Sequence, residues 1–579
     1  MQGTTVQEIA DAAKKSGAEG QDLDYLASLG SFGLHKSHIS SGIIKQYCKS
    51  GLASPSPYVV KIPMLVKSST ESEAQLADFN MFLPTDWVAS LSQYKDPSVI
   101  QSVFNFEAVS GFWGSHDTQD PKLLGNPILD SPDWKSTMCP CILHGDGGQF
   151  QRRDCLNVIS LKSVLSSVST AFGFMLLAAV PKKCIVTNRD NPKMDTMLCI
   201  WEILVWNFKF AFAGIHPPSD HLGKPWPSGS LRAKLAGKPL HQGFKIFLFG
   251  INPDLEFLQN MFWVKCHSFD DMCWLCPANK SDIPYTDFRP GSLWRQMCYS
   301  ALQTRVAPAT EHPIMQIPGV VTQTFCIESL HTNELGVLSH FTANVFFAQI
   351  YDKFIEGKNN SERMANLWKC IMKSYVDHGI SSSNRIGHLN LEMFCSPKAP
   401  HQHFPVLSGC KAREIRYLLP ATADLCKQML AKCTSSYTKH VDAAAGWLLK
   451  MYDVMENAPM HPSTEEKLDF REAVDSFLMH YSALATKSQD KNEKRWNIVP
   501  KFHYSCHGAD QFDYFNIVFQ TAYGGETEVG LVSSLAHRCL DGTPAHKLSH
   551  KLCLKYMLGQ HLRLCNMVAA VDCDDDWDV

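Results

Sequence analysis

The feature that most constrains this chain is a succession of short apolar runs between residues 139 and 251, separated by turns and interrupted once by a long amphipathic stretch. Cys141-Ile-Leu143, Leu156-Asn-Val-Ile-Ser-Leu161 and Phe172-Gly-Phe-Met-Leu-Leu-Ala-Ala-Val180 each have the length of a strand. From Asp195 to Ile215, the side chains Met197, Ile200, Trp201, Leu204, Phe208 and Phe212 recur at helical spacing. Phe244-Lys-Ile-Phe-Leu-Phe-Gly-Ile251 then reads as a buried strand that ends at Asn252-Pro-Asp254. Three strands, a helix and a fourth strand make an α/β sheet layer.

The flanking regions have a different texture. After residue 265 come helical runs at 335–354, 362–376, 412–431, 441–456 and 464–485, with Ser408 and Ser463 placed to cap two of them. They predict a helical bundle inserted between the sheet layer and its return. The run KSQDKNEKR at 487–495 reads as a charged hinge or solvated loop, and 572–579 is an acidic tail. Residues 1–135 are expected to be α-rich, with helical patterning at 6–13 and 86–94, a turn-rich joint at Ser54-Pro-Ser-Pro57, and no zinc finger, helix-turn-helix or basic arm. The expected regions are therefore 1–135, a first core segment 136–265, a helical insertion 266–495, a closing core segment 496–571, and the tail 572–579.

Composition narrows the function classes. With 45% apolar residues in 579, long intrinsic disorder is excluded for most of the chain. Lys+Arg 54 against Asp+Glu 57 gives a net charge of −3, so nucleic acid cannot be held by bulk charge and would need local patches. The 21 cysteines accompany no apolar leader in residues 1–20, which predicts reduced thiols in an intracellular, soluble chain. The apolar windows 171–180 and 201–215 are short for a membrane span, and the second carries Glu202 and Lys209.

Five motifs carry potential chemistry. His144-Gly-Asp146-Gly sets a carboxylate between glycines where a strand is expected to end, and Asp254 stands where a buried strand becomes a helix. Cys273-Trp-Leu-Cys276 has metal-ligand spacing, with Cys266 and His267 just upstream. Lys501-Phe-His503-Tyr-Ser-Cys-His507 puts two imidazoles one helical turn apart, and Tyr523-Gly-Gly-Glu526-Thr-Glu528 puts acids in a first helical turn. Taken singly, each has a plain structural account: an Asp-Gly turn, an N-cap, chance pairs in a chain rich in Cys and His, and complementation of a helix dipole.

Taken in order, Asp, Asp, CxxC, helical region, HxxxH and Glu, the motifs resemble those of RNase H-fold DDE transposases. The resemblance is closest to the CACTA-type class, whose zinc-site layout is shared with the V(D)J recombinase core. In that class an Asp-Gly follows the first strand, as at Asp146, and an Asp ends the fourth strand ahead of a CxxC, as at Asp254. Glu328-Ser-Leu-His331 resembles the family's acid-x-Met-His step, with Glu and Leu in place of Asp and Met. Leu418-Leu-Pro420 resembles its LLP helix, and Phe502-His503 to His507 with Tyr523 to Glu526 resembles its closing signature. The likeness spans about residues 139–540 as a motif skeleton.

The resemblance implies an RNase H-like mixed sheet interrupted by the helical insertion. It implies Mg²⁺ or Mn²⁺ held by Asp146, Asp254 and Glu526, and Zn²⁺ held by Cys273, Cys276, His503 and His507. It further implies a nuclear enzyme that cleaves and joins DNA at transposon ends and target as a homo-oligomer, with no membrane partner. Candidate phosphate contacts are Arg152 and Arg153, Lys182 and Lys183, and Lys547, Lys551 and Lys555 along one helix face. The alternative is a catalytically silent, transposon-derived zinc-binding protein that acts in DNA binding or protein interaction.

Overall fold

The computed structural model describes residues 3–28, 54–67, 72–168, 173–540 and 542–571. Phe172 and the acidic tail fall outside them. The protein is mixed α/β, about 53% helix, with a mixed sheet. It divides into two compact units. One comprises Met1–Glu107, Gly147–Ile246 and Thr527–Val579; the other comprises Ala108–Asp146 and Phe247–Glu526.

In the first unit, β1 (Tyr58–Lys67) and β2 (Ser72–Met81) form an antiparallel pair in which Tyr58 faces Met81 and Lys67 faces Ser72. The N-terminal region is α-rich as expected, and this strand pair is an addition that the sequence reading did not include. Val60, Ile62 and Met64 point inward while Val59 and Lys61 point out, a period of two that Pro63 obscures in the sequence. Pro63 offers no N–H to the ladder, and its carbonyl accepts a hydrogen bond from Thr196 Oγ1 at 2.6 Å. The expected helical segments at 6–13 and 86–94 are present as Gly3–Lys15 and Pro84–Gln93.

The remaining strands are β3 (Met138–Gln151), β4 (Asp154–Ser163), β5 (Met175–Pro181) and β6 (Lys245–Ile251), in the sheet order β5-β4-β3-β6. β4 and β5 pair antiparallel, with a bulge between Ile159 and Ser160. All four strands lie where the apolar runs place them. β3 differs in one respect: it continues five residues beyond Asp146, so this carboxylate sits inside a strand and not at its end. The helix Thr196–Ala213 starts at Asp195, whose carboxylate accepts the Leu198 N–H at 2.9 Å, and stops at Gly214, where φ is 73°. It is the one helix among the described residues long and apolar enough to cross a membrane, and 61% of it is buried in the fold. Glu202 and Lys209 are exposed on it, as on a core helix with a wet face.

The second unit is mainly helical. A π-helical segment, Leu330–Leu338, runs directly into Ser339–Tyr351, followed by Asn360–Asp377, Ala412–Lys432, Ser436–Asn457 and Thr464–Asp490. Ser463 caps the last of these through a reciprocal box with Glu466. Ser408 caps nothing: its hydroxyl donates to Met393 O at 3.1 Å, and the helix begins after Lys411. Nor is 487–495 a solvated loop throughout. The helix extends to Asp490, and Arg495 is buried among Phe347, Tyr437 and Trp496, paired with Asp352. Phe341, Phe477, Tyr481 and Trp496 form an aromatic core. Against it packs Phe502, 4.4 Å from Tyr481 between ring centroids. That contact seats the helix Pro500–Phe512, which carries both histidines of the HxxxH motif.

Candidate functional site

Proline at the first position starts the helix Pro500–Phe512, and the spacing of four residues puts His503 and His507 on one face. Opposite them, Cys273 and Cys276 sit in an irregular loop, which Tyr504 Oη anchors by donating to Met272 O at 2.6 Å. Trp294 closes one side, its ring 4.4 Å from that of His503 and 5.5 Å from that of His507. All four side chains are buried, and their ligand atoms lie within 4.8 Å of one another. Cys276 Sγ is 3.2 Å from His503 Nε2 and 3.3 Å from His507 Nε2.

Two thiols and two imidazoles make a soft donor set that could hold a metal ion such as zinc. His507 turns its other nitrogen, Nδ1, to Asp510 at 2.9 Å, and Arg471 donates to the same carboxylate at 2.9 Å. A carboxylate behind a ligating imidazole fixes its tautomer and orientation. Burial pushes the Cys276 thiol up. Burial acts likewise on Cys273, yet the Cys276 hydrogen bond and the two imidazoles hold that thiol well below its usual range. A thiolate beside imidazoles is a pocket already arranged for a cation. Cys266 takes no part, its Sγ donating to Leu255 O at 3.4 Å, and neither His267 nor His546 and His550, which repeat the HxxxH spacing, belongs to a metal-capable group among the described residues.

A second cluster gathers around Asp146. Asp146, Glu526 and His144 place their ligand atoms within 4.8 Å of one another. His144 Nδ1 lies 2.9 Å from Asn252 O; a carbonyl only accepts, so Nδ1 carries the proton and Nε2 keeps its lone pair. Burial lowers the basicity of His144 and keeps it neutral. The glycines of the motif serve close approach more than turning. A Cβ on Gly145 would lie 2.4 Å from the Phe257 ring, and one on Gly525 would lie 2.3 Å from the His144 ring.

Asp254 is not within that group of three. It caps the helix Leu255–Phe262, accepting the Phe257 N–H. Burial raises its pKa, as does the charge of Asp146, while the Phe257 N–H and His331 act in the opposite sense. Glu526 is pushed up to about 8, first by burial and then by Asp146, with which it shares a hydrogen bond.

Two further residues complete the cluster. Glu328 accepts the backbone N–H groups of Leu330, His331 and Ala522, each at 2.8 Å. This joins the start of the π-helical segment to the start of the helix Tyr523–Cys539, which carries Glu526. Behind it pack Leu330, Ala412 and Ala522. His331 reaches Glu328 with Nδ1 at 2.9 Å and stands 3.6 Å from Glu526 with Nε2. Burial opposes its charge, but Glu328, Glu526 and Asp254 outweigh that and raise its pKa to about 9. His331 is therefore an imidazolium among carboxylates. The motifs HGDG and ESLH contained His144, Glu328 and His331, but nothing in their spacing assigned them roles.

The candidate phosphate contacts lie in the other unit. Arg152 and Arg153 are the exposed turn between β3 and β4; Lys547, Lys551 and Lys555 are exposed at and after the start of the helix Leu548–Val571. Lys183 is engaged, 3.1 Å from Asp154. Comparison of the chain with models of protein families and with curated proteins finds no match.

Proposed function

We propose that the protein is a metal-dependent nuclease of transposase type, which cleaves DNA, and joins it, at Asp146, Asp254 and Glu526. The observation that carries this reading is the convergence of Asp146 and Glu526, 380 residues apart by subtraction, within 4.8 Å of each other, with Asp254 close enough to feel the charge of Asp146. Gathered half-buried carboxylates repel one another and cost stability unless a cation or protons join them, and that arrangement is found at many working sites. Counting the strands of the larger sheet in chain order, Asp146 lies within the first and Asp254 three residues after the fourth, whereas the transposase resemblance puts the first Asp after its strand and the second at its strand's end.

Oxygen ligands suit Mg²⁺, and Asp146 and Glu526 would hold it with Asp254 beside them. The ion, when bound, supplies an activated water or 3′-hydroxyl and a neutralised leaving oxygen. The chain's own part is to keep the carboxylates gathered. Glu328 fixes the helix that carries Glu526, and the Asn252 carbonyl fixes His144. The cation at His331 offsets part of the negative charge that a phosphodiester must approach. The Cys273, Cys276, His503 and His507 set would hold Zn²⁺ and fasten the CxxC loop to the histidine helix. One observation favours the silent alternative: Asp254 already spends an oxygen capping its own helix.

The test is nicking of supercoiled plasmid with Mg²⁺ or Mn²⁺, alongside zinc content. Wild type is expected to nick, and Asp146→Asn, Asp254→Asn and Glu526→Gln are expected to lose at least about 100-fold while keeping one zinc, as removal of groups that stabilise a transition state does. Wild-type protein that carries zinc but nicks no DNA would leave the silent reading in possession.

A further inference from the structure

Lys501 opens the HxxxH motif and has no part in holding a metal. It stands in the first turn of the helix Pro500–Phe512, two residues before His503. Its stem runs along Gly336 of the π-helical segment so closely that a Cβ there would lie 2.6 Å from its Cδ. Any other residue at 336 would displace the lysine, so the glycine and the lysine form one arrangement. The direction this gives the side chain matters, because the same turn of the π-helical segment carries His331, whose carbonyl lies 3.3 Å from where a Gly336 Cβ would stand. Burial lowers the Lys501 pKa, while the charges of Glu328 and Asp254 act in the opposite sense.

An ammonium has three donors. Lys501 is half-buried, yet Nζ makes one hydrogen bond, to Leu335 O at 3.4 Å, and among the described residues no carboxylate oxygen lies within 4.0 Å of it. A half-buried cation that faces carboxylates without pairing to them retains donors for an acceptor from outside. The cluster itself needs such a group. Asp146, Asp254, Glu328 and Glu526 would repel a polyanion, and His331 is already committed to Glu328 and Glu526.

We propose that Lys501 takes a non-bridging phosphate oxygen of the strand bound at the carboxylate cluster, so that the histidine helix has two duties, metal ligation by one face and phosphate capture by its first turn. The proposal rests on the DNA reading given above. It makes Lys501 a substrate contact and Gly336 the residue that lets it reach.

The experiment measures binding of the full-length, zinc-loaded protein to a labelled DNA duplex by anisotropy over a range of salt, for wild type, Lys501→Met and Lys501→Arg. Each phosphate contact contributes about 0.9 to the slope of log affinity against log salt. Lys501→Met is expected to lower that slope by about one such contact, and Lys501→Arg to restore it, with zinc content and melting temperature unchanged in both. Equal slopes in wild type and Lys501→Met would overturn the proposal and leave the DNA reading standing. Wild-type protein without salt-dependent binding would overturn both. If Lys501→Met loses zinc, Lys501→Gln replaces it in the same comparison with Lys501→Arg: a slope that follows the charge supports the contact, and a slope indifferent to it does not.

Discussion

At Gly525 one added methyl group would lie 2.3 Å from the His144 ring, and at Gly145 one would lie 2.4 Å from that of Phe257. Both neighbours are buried rings that cannot swing aside, so the cost is that of overpacking. Gly525→Ala is expected to lower stability by about 1–3 kcal/mol, read by chemical denaturation, and to shift His144 resonances in NMR spectra. Glu528 makes a separate prediction. It is buried, Tyr556 Oη donates to it at 2.7 Å, and burial, with Tyr556 and Arg563 acting the other way, pushes it to about 8 from 4.5. Its proton is held more tightly folded than unfolded. Stability from this group is complete below pH 4.5 and declines as pH rises toward 8, by at most about 1.4 kcal/mol per pH unit. Glu528→Gln should flatten that slope in denaturation curves taken between pH 5 and 8, as estimated from the same linkage; an unchanged slope would show that other groups set it. At this scale the sequence displayed the acids and glycines but not their partners, because closeness to His144 or Phe257 leaves no local trace.

Elements were more legible. Strands β3 to β6 followed from the length of continuous apolar runs between turns and the long helices from periodicity, since burial imposes both directly. The β1–β2 pair was not seen, because Pro63 breaks an alternation that only the partner strand completes. Asp146 was expected at a strand end because glycines read as a turn; in β3 they admit the Phe257 ring and the neighbouring helices instead. The histidine helix shows the same division. Its two imidazoles were evident from spacing, whereas Asp510 behind His507 belonged to no motif. Asp510→Ala is expected to weaken zinc binding roughly 10–100-fold, measured by chelator competition, with smaller effect on the apoprotein's melting temperature.

The whole molecule is two compact units assembled from five stretches of chain. Pairings such as Glu328 to Ala522, 194 residues apart, are set by tertiary structure alone; only the order of the motifs hinted at them. All four members of the Cys/His set lie in the unit formed by Ala108–Asp146 and Phe247–Glu526. Removing metal should therefore raise hydrogen exchange first in Pro500–Phe512 and the CxxC loop, while the β1–β2 pair in the other unit keeps its protection. Uniform loss of protection would mean that the units unfold together. The separation of Cys276 from His503, 227 residues, also has a temporal meaning. At the usual pace of translation both thiols are synthesised at least about 10 to 45 s before the first histidine of the set. For that interval a nascent chain carries half of a candidate metal site, open to oxidation or to capture by the wrong ion, so the yield of any metallated protein would depend on how well its surroundings guard two cysteines until synthesis catches up.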